Sequence, residues 1–435
     1  MFEKSKIIKK GVSLGIVFKF FGMLITFLIV PILIEYLGND NYGLWITVFS
    51  LIGIVNYADG GIINGLKTKL SEAISRKDVT LSKQFISTAY YSIFFISIIL
   101  LLVGIVLIYF LDLATLINTT VDEKEIKQIF FITLFFTTVN FALSLYKSIL
   151  FATQKSYAVE LSVFFNQGLI FVFINIAMLM IPANILIIAL IYGVSNTIAS
   201  LLFTISFFYR NPKYIPNPKM FNRQRLNETL GLSLGFFVIQ LCMIVIFTTD
   251  KIIINNILGP SEVTRYDVVM KLFLAIIAFC LISLDPFWAL FSDAFQKKQY
   301  KWIKLTLKRL NIAFAAFIIL LIPFVMLSKK IISFWLEEKV SVDNSLILLI
   351  AFFAIVRVYG AIYMSFLNGI GKIKLQLKLY VIGSLINIPL SIILVNNTSL
   401  GSGGAVLATT ISIFALTLIL PFYSNNLIKN YEKNT

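Results

Sequence analysis

Long apolar runs, broken by a few polar residues each, recur from one end of the chain to the other. Twelve can be marked, at residues 11–34, 42–64, 84–110, 128–151, 157–180, 184–208, 229–256, 262–285, 308–327, 345–368, 375–395 and 404–427. Each is about 20 to 28 residues long, and a helix of about 20 residues crosses a hydrocarbon core of ~30 Å. Inside that core every backbone N–H and C=O must find a partner within the protein, which a helix provides by itself. The pattern therefore predicts an all-α polytopic membrane protein with about 12 transmembrane helices. The first run is longer than a signal-peptide core and lacks a small-x-small cleavage site, so it reads as a retained helix.

The polar breaks alternate in charge. With the N-terminus placed in the cytoplasm, the inner segments hold 26 Lys and Arg and the outer loops 5, beside nine acids, while the remaining six basic residues fall inside or at the edges of helices. Basic residues accumulate in cytoplasmic loops, so an even number of helices and two cytoplasmic termini are expected. The longest inner break, residues 210–227, contains Pro212, Pro216 and Pro218 and halves the chain. The expected organisation is a first six-helix bundle at 1–209, a cytoplasmic linker at 210–228 and a second six-helix bundle at 229–435. An internal repeat fits it. Leu37-Gly38 with Tyr42 is matched by Leu258-Gly259 with Tyr266, and Ala152-Thr153-Gln154-Lys155 by Gly369-Ile370-Gly371-Lys372. Six is even, so the two halves insert in the same orientation and form a parallel repeat, as in several transporter folds.

Composition narrows the chemistry. The chain of 435 residues is 59% hydrophobic and only 13% charged, against about 25% charged in soluble domains. The net charge of +16 implies no nucleic acid, because topology and anionic headgroups account for it. Histidine is absent, which removes histidine general bases and histidine-ligated metals. Cys242 and Cys280 sit within apolar runs and read as inert thiols. The outer loops are short, and their acidic stretch, Asp122-Glu123-Lys124-Glu125, reads as a solvated helix entrance rather than a metal-holding carboxylate pair. No P-loop is present. No catalytic residues, metal site or cofactor are expected; coupling to H+ or Na+ is left open.

Charges within helices are informative, since each costs at least ~2.5 kcal/mol at the bilayer centre unless it meets a cavity or a partner. Arg357 lies roughly 18 Å into its helix, Lys271 roughly 14 Å and Lys19 roughly 12 Å. These three are the candidate substrate-binding cations. Gly360 and Ala361 share a face with Arg357 and leave room for a cavity or a close helix neighbour. Asp267, four residues before Lys271, is placed to pair with it. If the chain turns near Gly259-Pro260, Asp250 and Lys251 come level with Asp267 and Lys271, and with Arg265 they form a candidate charge cluster. Asn140, Asn166, Gln167, Asn196, Gln240 and Asn387 are mid-depth amides that either line a polar passage or bond between helices. Lys147, Asp59 and Glu160 fall at cytoplasmic helix ends. Trp45, Trp288, Trp302 and Trp335 fall at expected interfaces and read as anchors.

Several of these residues also carry a resemblance. Tyr36-Leu37-Gly38 through Tyr42-Gly43-Leu44-Trp45 to Asp59-Gly60-Gly61 resembles the opening of bacterial polysaccharide flippases of the Wzx type. Further along, Asp250-Lys251-Ile252-Ile253-Ile254, Leu258-Gly259, Tyr266, Asn368-Gly369-Ile370-Gly371-Lys372 and residues 401–409, Gly-Ser-Gly-Gly-Ala-Val-Leu-Ala-Thr, follow that family's order and spacing. The resemblance implies a protein of the bacterial cytoplasmic membrane with two six-helix bundles around a cavity that opens alternately to each side. The implied cargo is an undecaprenyl-diphosphate-linked oligosaccharide for O-antigen or capsule assembly, with membrane lipids, a polysaccharide polymerase and chain-length proteins as partners. An anion and its sugars cross hydrocarbon only with polar help, which a wet cavity lined by Lys and Arg supplies. The alternative is a cation-coupled exporter of drugs or metabolites of the related MATE group, which commonly relies on embedded acids. An enzyme of envelope sugar assembly is disfavoured by the short outer loops.

Overall fold

The computed structural model describes residues 2–153, 155–231 and 234–433. Gln154 of the repeated break and the side chains of Lys4, Lys6, Lys9 and Lys10 lie outside the described residues. The protein is an all-α polytopic membrane protein. Among the described residues ten helices are long and apolar enough to cross a bilayer. The expectation of twelve counts the first of these, Leu14–Tyr57, as two crossings and adds a helix rich in charge, Pro260–Gln296. Two compact units divide the chain, Met1–Phe237 and Val238–Thr435.

The first unit contains α1 (Phe2–Gly53), α2 (Ile62–Ser75), α3 (Val79–Phe110), α4 (Leu113–Leu116), α5 (Glu123–Leu143), α6 (Leu145–Ala152), α7 (Ser156–Met180), α8 (Ile185–Arg210) and α9 (Arg223–Gly231). α1 packs along α7, and α5 lies between α3 and α8. The α1 helix is broken at Gly38, whose φ of 77° and ψ of 168° suit glycine and almost nothing else. Phe94, Leu102, Val103 and Val106 of α3 are exposed; in lipid, apolar side chains on the outside are the satisfied state.

Sequence periodicity over long windows missed α2. Its residues, including Lys67, Lys69 and Glu72, read as a charged loop. They form an amphipathic helix that buries Leu66, Leu70 and Ala73 against Phe85, Ile86 and Ile149. Asp59 sits at its start and accepts a hydrogen bond from the Ile63 N–H at 2.9 Å. The acidic entrance to α5 is also built from caps: Asp122 accepts from Lys124 N–H, and Glu123 accepts from Ala114 N–H at 3.0 Å. Trp45 departs from its expected interface role. It is 1% exposed and packs against Phe49 and Tyr192; Trp288 and Trp302 are exposed.

The proline-rich segment expected as a linker is part of the first unit and is pinned to α3. Ser87 and Thr88, both buried, accept hydrogen bonds from the backbone N–H groups of Asn217 and Asn222 at 3.0 and 3.1 Å. Tyr214 stacks on Phe207, and Arg225 lies over the Phe85 ring. Prolines stiffen the segment, and the two hydroxyls satisfy backbone donors that a helix would otherwise consume.

The second unit follows α10 (Leu234–Leu258) through α11 (Pro260–Gln296), α12 (Tyr300–Trp335), α13 (Asn344–Gly369), α14 (Lys374–Asn397) and α15 (Gly403–Lys433). α13 packs on both α11 and α15, and α14 on α15. Gly259, counterpart of Gly38 in the repeat, joins α10 to α11 with φ +90°. Both glycines of the matched Leu-Gly pairs thus have a positive φ, in the left-handed region open to glycine. α14 and α15 touch closely because Gly383 faces the Ser412 carbonyl, where a Cβ would collide.

Candidate functional site

The turn at Gly259 sets the register between α10 and α11, and it brings two consecutive residues of one helix against two of the other. Asp250 and Lys251 on α10 meet Tyr266 and Asp267 on α11. Lys251 Nζ lies 2.8 Å from Asp267 Oδ1, and Lys271 Nζ, one turn further along α11, lies 2.7 Å from Asp267 Oδ2. Both carboxylate oxygens are thus held by ammonium groups. The Asp267 side chain is 3% exposed, whereas those of Lys251 and Lys271 keep 21% and 26%. The acid is enclosed while its two cations retain access to their surroundings.

Asp250 is 1% exposed and depends on hydroxyl donors. Thr409 on α15 donates through Oγ1, which lies 2.9 Å from Asp250 Oδ2 and 3.0 Å from Oδ1, and the Tyr266 hydroxyl donates to Oδ2 at 3.1 Å. Asn387 extends the network: its amide Nδ2 donates to Thr409 Oγ1 at 3.1 Å, and its Oδ1 accepts from Thr249 at 3.3 Å. Because Gly383 and Asn387 share a face of α14, the close approach at Gly383 lets Asn387 reach α15. Four helices, α10, α11, α14 and α15, are thus joined through the Asp250 carboxyl group and the hydroxyls around it. Thr409 went unsuspected as a donor. It closes the Gly-Ser-Gly-Gly-Ala-Val-Leu-Ala-Thr motif, as Tyr266 ends the repeated Leu-Gly element, so motif position was the signal that could have found both.

Arg357 on α13 has no carboxylate partner among the described residues. Its guanidinium lies over the Phe247 ring, 4.8 Å from the centroid, and donates to the Tyr380 hydroxyl at 3.3 Å. The ring face compensates part of the charge without neutralising it. The small residues beside it admit a helix: Gly360 faces Thr417 of α15, which donates to the Val356 carbonyl at 3.3 Å. Arg265 stands apart from the Asp250 and Asp267 groups. It pairs with Glu262 near the turn, and Glu262 also accepts from Ser402 at 3.2 Å. Gln240 is half-buried on α10.

The candidates in the first unit are spread over α1, α5, α7 and α8. Lys19, half-buried on α1, has no ion pair among the described residues. Asn140 bridges α5 to α8, donating to Thr197 Oγ1 at 3.1 Å, where Gly193 allows the helices to close. Asn166 and Gln167 on α7 and Asn196 on α8 are half-buried, and Asn166 Oδ1 is enclosed without a hydrogen-bond partner. Glu160 lies beside Gly15 of α1.

Known proteins identify the family and the fold. A protein of Yersinia pseudotuberculosis, provisionally named an O-antigen export protein, is 24% identical over 374 residues, 81% of each chain. A protein of Salmonella typhimurium, provisionally named an O-antigen transporter, is 25% identical over 208 residues, 46% of each chain. Among solved structures, a multidrug-resistance MATE transporter of the MOP superfamily in an inward-facing conformation covers 95% of this chain and 96% of its own, with a TM-score of 0.78 and 15% identity. A MOP superfamily transporter from Pyrococcus furiosus covers 98% of this chain and 97% of its own, with a TM-score of 0.67 and 17% identity. At such identities the likeness establishes the fold. The sequence profile of the family described as polysaccharide biosynthesis protein matches residues 8–283, more than half of the length, and the chain belongs to that family.

Proposed function

We propose that this polysaccharide transporter turns a lipid-linked oligosaccharide, carried on undecaprenyl diphosphate, from the cytoplasmic to the outer leaflet by alternating access. In this reading the chain crosses the membrane twelve times with both termini cytoplasmic. Arg357 is the observation that carries the reading. A mid-depth cation with no carboxylate beside it, oriented by a ring face and a phenol, is a receptor for an anion entering from outside the protein. Lys19, half-buried with no ion pair among the described residues, is a second candidate cation. Lys271, already paired with Asp267, contributes through the surplus of two ammonium groups over one carboxylate. The residues carry no bond-breaking chemistry in this scheme; they offset the desolvation of the diphosphate while its polyprenyl tail stays in lipid.

The buried carboxylate Asp250 supports a second reading, a cation-coupled exporter. One experiment separates the two. Lipids are extracted from cells lacking the protein and analysed by mass spectrometry, and sidedness is read with a membrane-impermeant glycosidase. The flippase reading expects the diphosphate-linked oligosaccharide to accumulate shielded inside, relieved by the wild-type chain, only partly by Arg357→Lys and not by Arg357→Ala. If the oligosaccharide reaches the outer face normally in the deleted strain, flipping is excluded and export of another solute takes its place.

A further inference from the structure

A second basic site lies away from the charged helices, at the end of α12 that the charge pattern assigns to the cytoplasm. Here α12, α13 and α15 enclose a cleft of about 360 Å³ lined by Lys304, Leu307, Lys308, Asn311, Ile312, Ala315, Tyr363 and Asn425. Its two sides differ in character. Lys304, Lys308, Asn311 and Asn425 gather hydrogen-bond donors at one end. Leu307, Ile312 and Ala315 continue into the exposed apolar face of α12, where Ile312, Ile319 and Leu320 are 61%, 66% and 71% exposed.

The polar end is built rather than incidental. Asn311 and the buried Tyr363 hold each other: Asn311 Nδ2 donates to the Tyr363 hydroxyl at 2.8 Å, and that hydroxyl lies 3.2 Å from Asn311 Oδ1. Lys304 is paired with Glu432 of α15, while Lys308 has no carboxylate partner among the described residues. Trp302, two residues before Lys304, is 37% exposed, as befits a side chain at headgroup depth.

We infer that this cleft binds the phosphate of a lipid, with Lys304 and Lys308 on the phosphate oxygens and the acyl or prenyl chain along the apolar face of α12. Two sources share that chemistry, an anionic glycerophospholipid of the inner leaflet and a polyprenyl diphosphate. Glu432 occupies Lys304 when the cleft is empty and is displaced by the phosphate. The glycerophospholipid source does not rest on the proposed transport; the polyprenyl diphosphate source does, because it shares the carrier chemistry of the proposed cargo.

The same helix supplies a control. Its opposite end carries Lys329 and Lys330 beside Glu337 and Glu338 in another recess, so the same number of lysines is present with acids in place of the Asn311–Tyr363 frame. Full-length protein in nanodiscs of phosphatidylcholine is titrated with short-chain phosphatidylglycerol and, in a second arm, with farnesyl diphosphate, and bound lipid is counted by native mass spectrometry. At about tenfold per 1.4 kcal/mol, two lysines worth about 1 kcal/mol each predict that Lys304→Gln with Lys308→Gln weakens binding about thirtyfold. Lys329→Gln with Lys330→Gln leaves it within about twofold, and Glu432→Gln strengthens it. The arm with the larger wild-type affinity identifies the source. Equal losses from both lysine pairs would reduce the effect to net charge and overturn the site, as would binding in both arms indifferent to Lys304 and Lys308.

Discussion

Each unit carries a glycine of positive φ at its matched Leu-Gly pair, yet the two satisfy their buried polar groups differently. In the first unit the work falls to neutral groups: Asn140 with Thr197, Tyr146 with Ser162, Ser87 and Thr88 with backbone. Its one buried carboxylate among the described residues, Asp59, caps a helix at an expected membrane edge. In the second unit two buried carboxylates, Asp250 and Asp267, and three partly accessible cations, Lys251, Lys271 and Arg357, lie on α10, α11 and α13. A neutral network needs only partners. A charged one needs matched charges, and a lone cation is stable there only with a ring, a cavity or a ligand. On the proposed reading, most of the cations that would meet an anion lie in the second unit, with Lys19 the exception in the first.

The largest break in that contrast comes from removing a carboxylate. Asp267→Asn removes the carboxylate that both Lys251 and Lys271 hold, and loss of one member of a buried pair costs about 3–5 kcal/mol. Purified in detergent, the variant is expected to melt far below wild type or to fail as a monodisperse species. Adding Lys251→Met and Lys271→Met restores most of the stability if charge balance is the cause. Asp59→Asn, its counterpart in the first unit, keeps a cap acceptor of equal rank and melts near wild type. Should the two carboxylates prove equally costly, the division into a charged and a neutral unit fails.

A smaller effect tests what the units have in common. Nothing lies within 4 Å of a Cβ added at Gly38 or Gly259, and both have positive φ, 77° and 90°. Substitution by alanine therefore costs conformational strain alone, about 1–2 kcal/mol at either site. Paired melting curves of Gly38→Ala and Gly259→Ala should fall by similar amounts. A cost at only one position would make the Leu-Gly match a coincidence of sequence.

That match was legible because it is local, as were the apolar runs and the spacing of Asp267 and Lys271 one turn apart. Contacts between distant segments were less so. Thr409 meets Asp250 across 159 positions, a distance fixed by how closely α14 and α15 approach at Gly383, and no periodicity encodes that approach. The proline-rich segment 210–227 reads as a spacer because its backbone partners, Ser87 and Thr88, are hydroxyls with no charge or pattern to advertise them. Trp45 was misplaced for a related reason. A tryptophan beside a polar break suits an interface or a core, and only Tyr192, brought up by α8, decides for the core.

The finest test concerns Asn140, since it asks whether the neutral unit tolerates losing an interior polar group altogether. Interhelical hydrogen bonds in membranes are worth about 0.6 kcal/mol on average, and Asn140 donates both to Thr197 and to the Phe136 carbonyl of its own helix. Leucine at this position removes donor and acceptor together. Thr197 keeps its own bond to the Gly193 carbonyl at 2.9 Å, so no donor is stranded. Asn140→Leu is expected to shift the melting midpoint by no more than a degree or two, reflecting a loss of about 0.6 kcal/mol. Asn387→Leu offers the matched experiment in the second unit, where the amide supports Thr409, and through it a buried carboxylate. The second loss should exceed the first, because removing Asn387 also disturbs the donor to Asp250. Equal effects would mean that Asp250 is held by Thr409 and Tyr266 alone and that the charged network stops short of α14.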